Sequence, residues 1–486
     1  MNRQYMIKPV IVTFIFLLMF SLVSCKNKQV VQEDTSEGSL MERIAKLEGV
    51  ISVEAVDNNQ SKWLPEKYAV MVKQQIDWND PEAGSFAQLV EVGIHPGAEV
   101  NILETYGYPF LEGDLSGDNQ PELCVILEAN HIKVEHRFSG ISFPEGMSNY
   151  SKDGWEYLTT ENESGDYHHV YEMFSQIFEG QWVAYGRSRG GRACVDYARH
   201  YPGDMKGYVP YVGVNCNGQH DPRVMEYVNT MIGDNAFGKK EAARRRKLMD
   251  DFMVECIRNR EELQEILWDA MVAQGLTFPE WANKERLLDL TLLEFQVEFW
   301  QDDGDFKDIE DVLDLPDDDG EKRSAKNEAI YALFPKYGGD PSFYSHDYFG
   351  FSYYVGALIE EGNYEIDFTH LREVLKEAGL EDKLVIKPED QKDLLRNFVL
   401  DDDQKEDFVF IPGHFEALDS FAKTTDQDIV FIGGDLDPWS AVYVDGGDNP
   451  HFRSYILTGK AHHTQIADFD QETQKKIIGT IRSWVK

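Results

Sequence analysis

The stretch AYGRSRGGRACVDYARHYP, residues 184–202, constrains this chain more than any other part of it. Gly186-Arg187-Ser188-Arg189-Gly190 fits G-x-S-x-G, with the apolar strand pattern QWVAYG before it and a helix start, RACVDYARHYP, after it. A serine held at a tight strand-to-helix turn sits in strained backbone geometry. Side chains two residues to either side would collide, so glycine is used there. The helix that follows points its N-terminal amides at the same spot, where developing negative charge is stabilised. A serine so placed reads as a nucleophile, and the rest of the chain then has to supply a base and an acid that orients it.

The order of patterns along the chain supports that reading. EKYAVMVKQQIDWNDPEAGSFAQLVEVGI reads as two strands around an Asn79-Asp80-Pro81 turn, EVNILETYGYPF as a strand ending in a turn, and ELCVILEANHIKVEHRF as a further strand region rich in β-branched residues. GWEYLTTENESGDYHHVYEMFSQIFEG has helical spacing, with Tyr167, Val170, Tyr171, Phe174 and Ile177 on one side. GYVPYVGVN is another strand. From about residue 222 to about 400 the pattern is mainly helical, too much for a single crossover. Strand character then returns at DIVFIGGDLDPWS and FRSYILTGKAHH, and DQETQKKIIGTIRSWVK closes the chain as an amphipathic helix. Strands alternating with helices predict a mostly parallel sheet covered on both faces. The expected organisation is a core over 45–222 and 425–486 with a helical cap inserted over 223–424.

The two missing partners of Ser188 appear after the last two strands. Asp435 and Asp437 follow DIVFIGG, and His462 and His463 follow FRSYILTGK. In an α/β-hydrolase the order is nucleophile, acid, base, with each residue in a loop at a strand end. That order is met here.

The blocks around these residues resemble peptidase family S37, the tripeptidyl aminopeptidase type. YGRSRGGRACVDYARHYPGDMKGYVPYVGVN is similar to that family's nucleophile region, VEHRFSG to its strand ending in E-H-R, LLEFQVEFWQ to a Phe-Trp-Gln segment of its cap, and GGDLDPWSA and GKAHHTQI to its acid and base loops. The S28 carboxypeptidase and dipeptidyl peptidase family shares E-H-R and D-P-W more distantly. The resemblance implies an α/β-hydrolase core with a large inserted helical cap. It makes Ser188 the nucleophile, Asp437 (in D-P-W) the acid and His462 (four before Ile466) the base. The oxyanion hole would be formed by the backbone N–H of Arg189 and a second amide near Gly107. Arg189 and Arg192 depart from the family's usual lysine and methionine. Only the backbone of Arg189 is given a role, and Arg192 is expected to alter a contact beneath the serine. An aminopeptidase must compensate its substrate's ammonium group. Glu294, Glu298 and Glu135 are candidate counter-charges, the alternatives being a solvated helix face and an ion pair with Arg137. SFYSHDYFGFSYYVG offers aromatic walls. No cofactor and no metal are expected.

The chain's beginning and its charge bear on where it works. Arg3 and Lys8 precede the apolar run PVIVTFIFLLMFSLVS, which ends at Cys25. Leu22-Val23-Ser24-Cys25 resembles a bacterial lipobox, so residues 1–25 are expected to be a lipoprotein signal with Cys25 lipidated, and 26–44 a polar tether. The expected location is the bacterial cell envelope, with the membrane met only through the lipid. A formal net charge of −40 over 486 residues repels phosphate backbones, so nucleic acid is not an expected partner. Cys124, Cys194, Cys216 and Cys256 are widely spaced, which supports neither a dense disulfide framework nor a zinc site. The acidic run QDDGDFKDIEDVLDLPDDDGEK does not keep an EF-hand register around Gly320 and reads as a solvated loop. The function expected is an exported serine exopeptidase releasing short peptides, tripeptides first, from peptide N-termini. An esterase or lipase on the same fold and a non-catalytic peptide-binding lipoprotein are the alternatives.

Overall fold

The computed structural model describes residues 38–486 except 112, 149–150, 152, 317–323, 347–350, 392–393 and 401–407. The expected signal, the Cys25 attachment point and residues 26–37 of the expected tether lie outside the described residues.

Nine strands form one sheet: β1 (Val50–Ala55), β2 (Glu66–Gln75), β3 (Ser85–Ile94), β4 (Val100–Thr105), β5 (Asn130–Val134), β6 (Gln181–Arg187), β7 (Tyr208–Tyr211), β8 (Ile429–Gly434) and β9 (Phe452–Leu457). Their order across the sheet is β1-β2-β3-β5-β4-β6-β7-β8-β9. β1, β2, β3 and β5 pair antiparallel in succession, and every pairing from β5 through β4 to β9 is parallel. This is an α/β-hydrolase sheet with one extra strand at its N-terminal edge. The central strands β6, β7 and β8 are mostly apolar and buried on both sides, as burial between two helical layers requires. Successive side chains point to opposite faces. Trp182, Ala184, Ile429 and Phe431 therefore join the cluster under α3 (Thr160–Phe174) and α4 (Arg189–His200), whereas Val183, Tyr185, Val430 and Ile432 join the opposite one.

Between β7 and β8 the chain is helical, from Arg223–Thr230 through the long Lys239–Arg258, Arg260–Gln274 and Lys284–Gln301 helices to Leu394–Val399. These segments bury a separate apolar cluster containing Phe252, Phe295, Phe299 and Phe334. The helix His414–Thr424 belongs elsewhere. Its Leu418 and Ala422 are fully buried in the cluster beneath α4, so it covers the sheet and the insertion stops short of the expected residue 424.

Two further expectations need correction. The ELCVIL half of the expected strand is α2 (Glu122–Leu127). Leu123, Cys124 and Leu127 face inward at helical spacing while Val125 is exposed, and Glu128 ends the turn in left-handed backbone, φ 52°. The expected tether runs too far, because α1 (Leu40–Ile44) is capped by Ser39 and buries Ile44 completely. All four described cysteines are free and buried.

Candidate active site

Ser188 stands between β6 and α4 with φ 60° and ψ −125°, a backbone conformation that non-glycine residues adopt only under strain. The turn is held by Ser188 N–H donating to Tyr211 O at 2.9 Å. The flanking glycines follow from backbone crowding. A Cβ on Gly186 would lie 2.0 Å from Gly190 O, and one on Gly190 would lie 2.2 Å from Thr105 O. The Arg189 amide is the first of the α4 helix, where no intrahelical acceptor exists.

The two loops after β8 and β9 meet over this turn. His462 Nδ1 donates to Asp437 Oδ2 at 2.7 Å, and Tyr443 donates to the same oxygen at 2.6 Å. Asp437 is fully buried, and its other oxygen takes the Trp439 N–H. A carboxylate only accepts, so the proton on His462 sits on Nδ1 and leaves Nε2 with a free lone pair. Asp435 instead accepts from Gly459 N–H and pins the β9 turn, while His463 is exposed and pairs with Asp302. Arg187 ties the base loop to the serine turn. It donates to His462 O at 2.6 Å and Thr464 O at 3.1 Å while lying over the Tyr211 ring.

Ser188, Arg189 and His462 line one cavity of about 380 Å³, together with Glu294 and Glu298 from the Lys284–Gln301 helix. Tyr353, Tyr354, Phe343, Tyr364 and Trp439 supply aromatic walls. The expected aromatic segment contributes Phe343, Tyr353 and Tyr354, and its residues 347–350 lie outside the described residues. Glu294 accepts from Tyr364 OH at 2.8 Å and Tyr344 OH at 3.3 Å, and Glu298 accepts from Gln301 Nε2 at 2.8 Å. Burial pushes both carboxyls above their ordinary range. For Glu298 the neighbouring charges of Glu294, Asp302 and Asp437 push further, whereas for Glu294 the two phenols only partly offset the burial. Both arginines lining the cavity are engaged away from this pair, Arg187 on the base loop and Arg189 on Glu361.

Two expectations about charged residues change, and a third gains its partners. Glu135 does not line the cavity and does not pair with Arg137. It clamps two loops by accepting from Phe110 N–H, Ile141 N–H and Ser142 OH, while Arg137 makes a two-pronged bond to Asp166. The Arg189 side chain, given no role from sequence, is buried and fully used. It donates to both oxygens of Glu361, to Gly107 O at 3.1 Å and to Ser352. Arg192 lies beneath the serine turn in ion pairs with Glu163, Asp196 and Glu361. His136, Glu163 and Glu361 bring ligand-type atoms within 4.8 Å of one another, but the two guanidiniums already sit against the carboxylates, which makes this a charge-balanced network.

Sequence reasoning missed Tyr108 and Gln301. Tyr108 lines the cavity together with Ser188. Gln301 accepts from Trp439 Nε1 at 2.7 Å, and its carbonyl takes the His462 N–H at 3.3 Å. Both lie inside quoted segments, TYGYPF and the Phe-Trp-Gln block, where the signal was present without a geometry to interpret it.

With the turn, the cavity and its loops in view, comparison with known proteins decides the family. The PS-10 peptidase S37 family matches residues 42–486. The chain belongs to it. Among characterised relatives, this S37 peptidase is 21% identical over 453 residues to the prolyl tri/tetrapeptidyl aminopeptidase of Streptomyces mobaraensis, covering 92% of this chain and 85% of that protein. Similar solved structures include a proline iminopeptidase from Mycobacterium smegmatis, with 11% identity, 85% of this chain, 98% of that one and a TM-score of 0.35. Acetyl xylan esterase 1 from a Thermoanaerobacterium species is another, with 9% identity, 90% and 92% coverage and a TM-score of 0.31.

Proposed function

We propose that this S37 peptidase is a serine aminopeptidase that removes short peptides, tripeptides foremost, from free N-termini, with Ser188 as nucleophile, His462 as base and Asp437 as the orienting acid. The observation that carries the reading is the Asp437–His462 hydrogen bond of 2.7 Å beside a cavity lined by Ser188, His462 and the carboxylates of Glu294 and Glu298, for which no cationic partner is recorded among the described residues. His462 Nε2 takes the Ser188 proton as Oγ attacks the scissile carbonyl, and Asp437 stabilises the imidazolium that forms. The oxyanion is received by the Arg189 N–H and an amide of the Gly107–Tyr108 segment, each such donor worth on the order of 3 kcal/mol in the barrier. His462 then protonates the leaving amine, and water releases the acyl peptide. Glu294 and Glu298 receive the substrate's ammonium group, which supplies the positive charge their own surroundings lack. Export and lipidation at Cys25 are part of the same proposal, supported by the basic start, apolar run and Leu22-Val23-Ser24-Cys25.

The test is a fluorophosphonate probe followed by product analysis. Wild type should label and Ser188→Ala should not, and mass spectrometry of a mixed peptide digest should show released N-terminal tripeptides. Labelling that survives Ser188→Ala, or acyl esters turned over faster than tripeptide arylamides, overturns the peptidase reading. Incorporation of an alkyne fatty acid that disappears in Cys25→Ser tests the anchor.

A further inference from the structure

We propose that Glu361, a residue of the helical insertion, is a positioning residue for the oxyanion hole, acting through the Arg189 side chain on the Gly107–Tyr108 peptide; this rests on the serine-peptidase reading above. Arg189 supplies the first amide of α4 beside Ser188, and its side chain runs back to the loop after β4. Nη1 donates to Gly107 O at 3.1 Å. In a trans peptide the carbonyl and the next N–H point in opposite directions. Holding Gly107 O therefore fixes where the Tyr108 N–H points. Among the described residues no protein acceptor is recorded for that N–H, and the Tyr108 side chain lines the same cavity as Ser188. Space admits little else here, because a Cβ on Gly107 would lie 2.7 Å from Gly190 N and 2.8 Å from Arg189 Cβ. One residue thus carries one oxyanion donor on its backbone and orients a second through its guanidinium.

The guanidinium is itself held from the insertion. Glu361 accepts from Arg189 Nη2 at 2.6 Å and Nε at 2.9 Å, and Ser352 accepts at both its hydroxyl and its carbonyl. Glu361 ends a π-helical turn, Ala357–Glu361, that continues the Phe351–Gly356 helix. Such a turn inserts an extra residue and re-aims a side chain. The fit depends on Gly356, where a Cβ would lie 2.2 Å from Glu361 Oε1 and 2.6 Å from Arg189 Nη2. The chain of contact runs Glu361, Arg189, Gly107 O, Tyr108 N–H, and its first member lies far along the chain from the last.

Glu361→Gln tests this. The expected result is a 10- to 100-fold fall in kcat on a tripeptide arylamide with KM within threefold of wild type. The affinity of a peptidyl trifluoromethyl ketone, whose adduct places an oxyanion in the hole, should fall by the same factor, and that of the free tripeptide product should not change. Because Glu361→Gln leaves two buried guanidiniums short of charge, the charge-neutral pair Arg189→Met with Glu361→Met is the second variant. It should fold and lose the same kcat, since the Arg189 backbone remains while the Gly107 anchor is gone. Wild-type kcat in either folded variant overturns the proposal, as does equal loss of affinity for ketone and product. If the wild type labels with fluorophosphonate but cleaves no peptide, the function has failed while Glu361 is still judged. Labelling of the variants more than tenfold slower supports its role, and equal labelling rejects it. A wild type that does not label removes both readings.

Discussion

Two groups of buried carboxylates flank Ser188, and they are built on opposite principles. Beneath the serine turn, Glu163, Asp196 and Glu361 are matched by Arg189 and Arg192, with His136 at 3.0 Å from Glu163 and His414 at 2.9 Å from Asp196. Burial alone would raise these carboxyls, but the adjoining guanidiniums and, at Asp196, His414 hold all three below the ordinary range. Across the cavity, Glu294 and Glu298 have phenols and an amide for partners, and both are raised. A paired buried carboxylate belongs to the scaffold, whereas one in a cavity with no recorded cationic partner is a candidate to bind a cation, the role proposed above for Glu294 and Glu298. The insertion contributes to both groups, Glu361 to the first and Glu294 and Glu298 to the second.

The comparison breaks outright if the cavity is not catalytic. Ser188→Ala and His462→Ala should each lower kcat/KM on a tripeptide arylamide by at least about 10⁴-fold, and Asp437→Asn by about 10³- to 10⁴-fold. A smaller effect of Glu298→Gln sharpens it: about 10²-fold lower kcat/KM on free N-termini, with no loss on the N-acetylated analogue and no loss of stability. The matching change on the other side, Glu163→Gln, should instead destabilise the fold by about 3 kcal/mol in urea unfolding, because it strands a buried guanidinium. That stabilisation is present above the ordinary carboxylate range and is lost as pH falls through the lowered native pKa values. The raised pair has the opposite sign. If, as proposed, its ionised form binds ammonium, KM for a free N-terminus should fall as pH rises through the pair's raised range. It should climb again once the substrate amine deprotonates near pH 8, and the N-acetylated analogue should show neither limb. The smallest expected effect is at Glu135, buried and pushed up to about 7 by burial that its three donors only partly offset. A carboxyl raised in the native state costs stability as pH climbs from its unfolded value toward the native one. Glu135→Gln should therefore flatten the decline between about pH 4.5 and 7, by at most about 3 kcal/mol in paired melts.

Local rules made the strand-turn-helix around Ser188, the alternation of elements and the long helical insertion readable from sequence. Gly186 and Gly190 mark a close approach of backbones, and such contacts leave glycine as a visible trace. What stayed hidden depended on distant partners. The side-chain partners of Arg189 and Arg192 come from remote segments, and only the three-dimensional arrival of Glu361 and Glu163 shows what holds them in the interior. α2 resembles a strand in sequence because Val125 and Ile126 suggest β-structure, whereas the side of the chain that meets the sheet is set by Leu123, Cys124 and Leu127. The sequence places the His414–Thr424 helix in the cap because strand character returns only at DIVFIGGDLDPWS. Its partner under α4 lies more than two hundred positions earlier in the chain.

The end of the Lys284–Gln301 helix has a consequence for anyone hoping to trim this enzyme. Gln301 holds Trp439 beside the acid, the amide of His462 and the carboxylate of Glu298 at once. A minimal version made by splicing β7 to the His414–Thr424 helix would not simply admit bulkier proteins to an unobstructed cleft. It would arrive with the Trp439 and His462 loops each short of one hydrogen-bond partner, so enlarging the entrance calls for shaving side chains from the aromatic walls and leaving that glutamine where it is.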